Sequence, residues 1–402
     1  MTRGLGLILL LLIANIAYGA SPRFQDVPAD SLFSSYEPLQ VKIAAPFHIL
    51  LDEKKKKNYV EIKEITIDGT ISYEQPNSPK KEIPVEIHIK GFSSISGCQF
   101  PKIEIKFKSK DTEGTLFSTI KSVDLNTHCG EWIEDNTADG AIYVQSGYHN
   151  HREALVYKMM EVLDMPSYKS RPVWIEYLDS EKPMEFPTPH KKYQAFFVED
   201  FGALKKRIGA KEVRGFDDPF KETDPKKKNE IVYAFKGVVE STNMDVEDAI
   251  RIHFLQSLIG NADWFLRTHE KQRRFENIKE DENADENLSE NEKKEKLEQA
   301  LADSEDPTSL WNAKIVELPN KKWIPFPQDF NFSSWASAGQ GWNATPSIKP
   351  FVDAKNYENV KKSFLEKKAH LYDVLSALDH DPKGKENTKK LLDRFFEALP
   401  EL

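Results

Sequence analysis

From about Val41 to Leu125 the chain alternates apolar and polar residues with a period of two. The stretches "YVEIKEITIDGTISYE", "IPVEIHIKGFSS" and "KIEIKFKSK" each read as a strand or hairpin, with turn residues between them. In the last of these, Ile103, Ile105 and Phe107 share one face, and Lys102, Glu104, Lys106 and Lys108 share the other. This half predicts a mainly antiparallel sheet.

After residue 150 the period lengthens. "HREALVYKMMEVLDM" spaces Ala154, Leu155, Tyr157, Met160 and Leu163 as a helix does, and Pro166 stops it. "RPVWIEYL" and "KYQAFFVED" return to strand character. Helices are then expected over "NEIVYAFKGVVEST", over "DVEDAIRIHFLQSLIGN" with Asp245 as N-cap, and over "NVKKSFLEKKAHLYDVLSAL" and "NTKKLLDRFFEAL". A β-rich first half followed by a helical second half predicts an α+β protein of two lobes with a cleft between them.

Composition adds three points. Arg3 precedes an apolar run from about Leu5 to Ala17, and Ala17 and Gly19 are spaced for cleavage, so residues 1–19 read as a secretory signal peptide. The expected mature chain, 20–402, is exported to the periplasm or beyond the cell and carries no membrane span. The formal charge of -9 lies largely in the low-complexity stretch at about 276–306, which reads as a charged insert. The rest is closer to neutral, which does not point to nucleic acid. The two cysteines, Cys98 and Cys129, read either as one structural disulfide or as two buried thiols.

Two polar clusters interrupt apolar sequence. In "LIGNADWFLRTHE", Asn261 and Asp263 follow a hydrophobic helix. In "WIPFPQDFNFSSW", Asp329 stands inside an aromatic run, with Asn312 upstream in "SLWNAKIVEL". A buried carboxylate without a partner is costly, so Asp329 is expected to be paired, hydrogen-bonded or bound to metal. Asp263, Asn312 and Asp329 converging would form an oxygen-rich site of the kind hard divalent cations prefer. Read separately, each is equally a polar turn residue.

Seven short motifs in order resemble the spore-coat CotH family of secreted atypical protein kinases, in an exported Gram-negative branch. "IKGFSS" is similar to its Arg-Gly-x-Ser-Ser turn, "CQFPKIEIKF" to its Cys-x-Phe-Pro segment with a lysine-bearing strand, and "LNTHC" to its Leu-x-Thr-His-Cys element. "REALVYKMMEVL…PSYKSRPVWIEY" follows its helix-then-strand pattern, and "FFVEDFGALKKRIG" its Phe-to-Glu-Asp segment. "LIGNADW" resembles Gly-Asn-x-Asp-Trp, and "PFPQDFNFSS" resembles Pro-Tyr-Asp-Phe-Asp-x-Ser-Gly.

The resemblance implies a two-lobed protein-kinase-like fold, with a β-rich N-terminal lobe at about 41–200 and a mainly helical C-terminal lobe at about 201–402. It implies an ATP-dependent kinase phosphorylating Ser or Thr of envelope or secreted proteins, with Mg²⁺ or Mn²⁺. Asp263 would be catalytic, and Asn312 and Asp329 would hold the metal. Lys106 would reach the phosphates with Glu153 as its ion-pair partner, and Val198, Glu199 and Asp200 would form the hinge that meets adenine. The chain departs from the pattern at Gln328, Asn331, Ser334 and Trp311, and one fewer acid stands in the metal motif. A non-catalytic scaffold with the same fold, or a secreted binding module, is the alternative.

Overall fold

The computed structural model describes residues 31–55, 65–74, 81–91, 94–95, 98–129, 149–183, 187–188, 190–213, 244–261, 264–266, 310–331, 333–336 and 353–402. The segment expected to be a signal peptide, the expected helix over "NEIVYAFKGVVEST", Asp263 and the charged stretch at about 276–306 lie outside the described residues.

The alternation in the first half is a true strand pattern. β1 (Leu39–Ala45), β2 (Thr66–Glu74), β3 (Lys81–Ile89), β4 (Ile103–Phe107) and β5 (Ser122–Asn126) pair antiparallel in succession. Their inward residues include Ile43, Ile71, Ile87, Ile105, Val123 and Leu125, all withdrawn from water. β6 (Ser170–Asp179) and β7 (Tyr193–Glu199) complete the set, β7 joining β5 and β6 joining β7.

The sheet then closes. β6 lies parallel to β1, with Leu39 opposite Val173 and Ala45 opposite Asp179, so seven strands form a mixed barrel in the order β1-β2-β3-β4-β5-β7-β6. Closure removes both sheet edges. Phe47, Phe100 and Phe117 fill the interior among the strand side chains.

This closed barrel overturns the expected two-lobed kinase-like fold. The physical reason lies in β6, which pairs on both sides and is buried on both faces through its first half. One face points into the barrel. The other receives α2 (Asn150–Val162), where the Ser170 hydroxyl donates to the Ala154 carbonyl at 3.0 Å.

A second core forms on that outer side. It gathers α2, the hairpin of β11 (Ala313–Glu317) and β12 (Trp323–Pro327), and α4 (Val246–Ile259). The C-terminal helices α5 (Ala354–Glu366), α6 (Lys368–Asp373) and α7 (Pro382–Ala398) complete it. Between them lie α3 (Phe201–Arg207), the two-residue β8 (Lys211–Glu212) on the edge of β11, and the short pair β9 (Phe265–Leu266) and β10 (Leu310–Trp311). Residues 47–55 form α1, just after β1.

α4 is buried along nearly its whole length, as suits a helix at the centre of this core. Asp245 caps it by accepting from the Asp248 N–H at 3.1 Å, and Gly260 ends it in the left-handed conformation at φ 60°. The Asp245 cap was visible in the sequence. Among the described residues no helix is long and apolar enough to cross a membrane.

Candidate functional site

The run from Gln328 to Ala336 is a turn stitched to three elements. The Gln328 N–H donates to the Asn312 carbonyl at 2.8 Å, tying the end of β12 to the residue before β11. Ser334 and Trp335 donate their N–H groups to the carbonyls of Gly260 and Ile259 at 3.0 and 3.1 Å, at the end of α4. The Trp335 indole donates to the Arg152 carbonyl at 2.9 Å, and the His149 N–H donates to Ala336 at 2.9 Å, so the turn also grips the start of α2.

Asn312 and Asp329 both take positive φ, 51° and 59°. Short polar side chains tolerate this left-handed region better than bulky ones, which is why these residue types suit the bend. Phe330, fully buried, follows Asp329, and its N–H donates to the Glu153 carboxylate at 3.1 Å. Glu153 itself is fully buried on α2. It therefore fixes the backbone beside Asp329.

Asp329 faces the outer surface of the barrel. Its carboxylate lies 3.3 Å from the Lys102 ammonium, with side-chain exposures of 27% and 25%. This answers the sequence-level question about the acid among aromatics: it is paired with a strand lysine. Among aromatic neighbours, Tyr157 is buried against Phe330, and its hydroxyl is held neutral first by burial, then by the charges of Glu153 and Asp329.

Lys102 does not stand alone. The Lys90 N–H donates to the Lys102 carbonyl at 2.8 Å, continuing the β3–β4 ladder one residue past Ile89 and Ile103. Lys90 in turn bonds Asp124 of β5 at 2.6 Å. Burial pushes the Asp124 carboxyl up to about 6 against the pull of Lys90, and Glu104 and Asp200 add to the rise. Tyr168 lies near this group, and its hydroxyl donates to the Gln328 side chain at 3.3 Å. Burial, Asp124 and Asp200 keep that hydroxyl protonated well past its ordinary range.

The expected site residues separate into two sets. Asp329, Asn312 and Glu153 come together around the turn. Lys106 lies four positions along the strand from Lys102, roughly 13 Å away, and pairs with Glu104 at 3.5 Å. Glu199 binds Arg207 through both carboxylate oxygens, at 3.0 and 2.7 Å, and accepts from the Lys169 N–H at 3.1 Å. Asp200 caps α3 by accepting from Gly202 and Ala203. The expected hinge is thus a braced corner. Asp263 lies outside the described residues.

Sequence reasoning did not single out Lys90, Lys102 or Asp124 as site residues. All three occupy outward positions in alternating strands, and that parity was legible. Their partners were not. Cys98 and Cys129 form a disulfide with Cα atoms 4.5 Å apart. Asn331, where the motif has its second acid, keeps its side-chain oxygen buried without a hydrogen bond.

For a hard cation the available donors are oxygens of Asp329, Asn331 and Asn312, which suit Mg²⁺ in kind. Among the described residues no three His, Cys, Asp or Glu side chains are grouped to hold a metal. Comparison with protein families, with characterised proteins and with solved structures finds no match to this chain.

Proposed function

We propose that the chain is an exported phosphotransferase of the kind its CotH-like motifs imply. It would move the γ-phosphate of ATP to Ser or Thr hydroxyls of envelope or secreted proteins. The reading no longer rests on a kinase-like fold. It rests on the Lys102–Asp329 pair, a lysine and a carboxylate 3.3 Å apart on a turn braced by buried Glu153.

Phosphoryl transfer needs positioning and charge neutralisation more than covalent help. Lys102 would exchange Asp329 for phosphate oxygens. Asp329, joined by the uncommitted oxygen of Asn331 and by Asn312, would then face a divalent cation, which screens phosphate charge when bound. Asp263, three residues past the Gly260 cap of α4, would orient the acceptor hydroxyl.

One observation favours a second reading, a non-catalytic nucleotide-binding scaffold. The motif's second acid is Asn331, so the metal would see one fewer charge. Purified protein with labelled ATP and Mg²⁺ or Mn²⁺ separates the two, beside Lys102→Ala, Asp263→Ala and Asp329→Ala. Transfer lost in all three variants is the expected result. Nucleotide binding without any transfer leaves the scaffold, and absence of both overturns the proposal. Binding would be read as thermal stabilisation, about 2.7 kcal/mol at a hundred times the dissociation constant.

A further inference from the structure

Two lysines lie side by side at the exits of neighbouring strands, and like charges in that position repel. Lys90 and Lys102 are joined by the N–H to carbonyl bond at 2.8 Å. Ser94 fixes both backbones, its hydroxyl donating to the Lys90 carbonyl at 2.8 Å and accepting from the Lys102 N–H at 3.4 Å. Just past Lys90, Gly91 takes φ 81°, where an added Cβ would meet the Ser94 hydroxyl at 2.9 Å. The spacing of the two ammonium stems is therefore built in.

Each ammonium is met by a carboxylate from a different part of the chain, Asp124 of β5 and Asp329 of the turn. Carboxylate and phosphate oxygens are alternative acceptors for the same ammonium. We infer that Asp124 is an internal stand-in for a phosphate group on Lys90, and that the site takes a polyphosphate chain spanning Lys90 and Lys102. This deepens the phosphotransferase reading and rests on it.

Asp124 is suited to yield. Its side chain is only 20% exposed, whereas that of Lys90 is 42% exposed and can reach outward. Charged and titratable groups face Asp124 from every side. They are Lys90 just past β3, Glu104 on β4, Asp200 at the start of α3, and Tyr168 before β6. Burial first, and then the acids Glu104 and Asp200, raise the cost of its charge, so its carboxyl takes up a proton at about 6. Below that pH the stand-in loses its charge and no longer competes with phosphate for Lys90. Above it, the carboxylate both occupies the ammonium and repels the ligand.

The test is calorimetric titration of the full chain with tripolyphosphate, without metal or adenine, from pH 5 to 8. Wild type should bind more tightly as pH falls through about 6. Asp124→Asn should bind about tenfold more tightly than wild type at pH 7.5 and lose that step. Protonation of the ligand itself affects both proteins alike, so the difference between their profiles is the readout. Lys90→Ala should lose about tenfold at pH 5, and Lys90→Arg should recover most of it. Identical profiles for wild type and Asp124→Asn, or undiminished binding by Lys90→Ala, would overturn the inference. Phosphate transfer by wild type that neither variant alters sinks this inference alone. Lys90-dependent tripolyphosphate binding in a protein that neither binds nor uses ATP sinks the parent reading alone.

Discussion

Acidification should unlatch α2 from its neighbours through one residue, His151. Its ring is 2% exposed, and Nε2 lies 2.8 Å from the Val173 carbonyl, which can only accept, so Nε2 carries the proton. Nδ1 then accepts from His380 Nε2 at 2.8 Å. A second proton on His151 would break that bond as it stands and force His380 to move its own proton from Nε2 to Nδ1. Burial pushes the ring down to about 4, with the Val173 bond and Asp381 opposing and His380 and His149 assisting. Arg152 and Lys383 also border the cluster, Arg152 held by Asp381 at 3.2 Å.

The sign follows from the depressed value. An unfolded histidine titrates near 6.5, so below that pH the unfolded chain binds a proton that the folded chain refuses. The stability contributed by neutral His151 is complete above about 6.5 and drains away as pH falls towards about 4. Between pH 7 and pH 5 these two values give a loss of about 2 kcal/mol from this residue. His149, lowered to about 4, and His253, lowered to about 3, act in the same direction.

His151→Gln isolates the term, because its amide can donate to Val173 and accept from His380 but cannot titrate. Urea unfolding of wild type and variant at pH 7.5 and pH 5 is the assay. The variant should be less stable at pH 7.5 by about 1–2 kcal/mol for altered packing, and that gap should shrink or reverse by about 2 kcal/mol at pH 5. His253 cancels in the double difference, whereas His149 and His380, which couple to His151, add to the readout. An unchanged gap would refute the reasoning, since it would mean the folded ring titrates as the unfolded one does.

Three further outcomes are expected. Replacing Cys98 and Cys129 by Ser opens a crosslink between residues 31 apart and should cost about 4 kcal/mol on the loop-entropy account, read by denaturant midpoint. Trp335→Ala should cost about 3–5 kcal/mol, because it empties a fully buried site and removes the indole bond to the Arg152 carbonyl, and Trp335→Phe should cost less. Gly260→Ala should cost about 1 kcal/mol in thermal unfolding, since its left-handed φ of 60° disfavours a Cβ.

Local patterns carried part of the fold. Period-two alternation put Ile103, Ile105 and Phe107 inside and Lys102, Glu104 and Lys106 outside, and the strands obey it. The α4 helix and its Asp245 cap were equally legible. What no local pattern encodes is the parallel pairing of β1 with β6, whose residues are more than 130 positions apart in sequence. That single long-range contact closes the barrel and separates this architecture from the one its motif order implied. Motif order constrains which residues exist, not which strand edges meet.

The same limit explains the lysine. Lys102, one residue before β4, and Lys106 on it share a face and a charge, so parity cannot choose between them. The choice is made by where the turn at 328–336 docks, and that depends on Gly260, Arg152 and Glu153, which come from two helices. Docking puts Asp329 at the Lys102 end of β4, next to Lys90 across the ladder. The consequence bears on mechanism. The corner expected to act as a hinge is braced by Arg207 and Lys169, and the two lysines stand on paired strands of a closed barrel. A phosphate chain bound there would meet charges at a spacing set by the β3–β4 ladder. Selectivity for chain length would come from that fixed spacing, whereas the carboxylates on the ammonium groups would govern when the site is open.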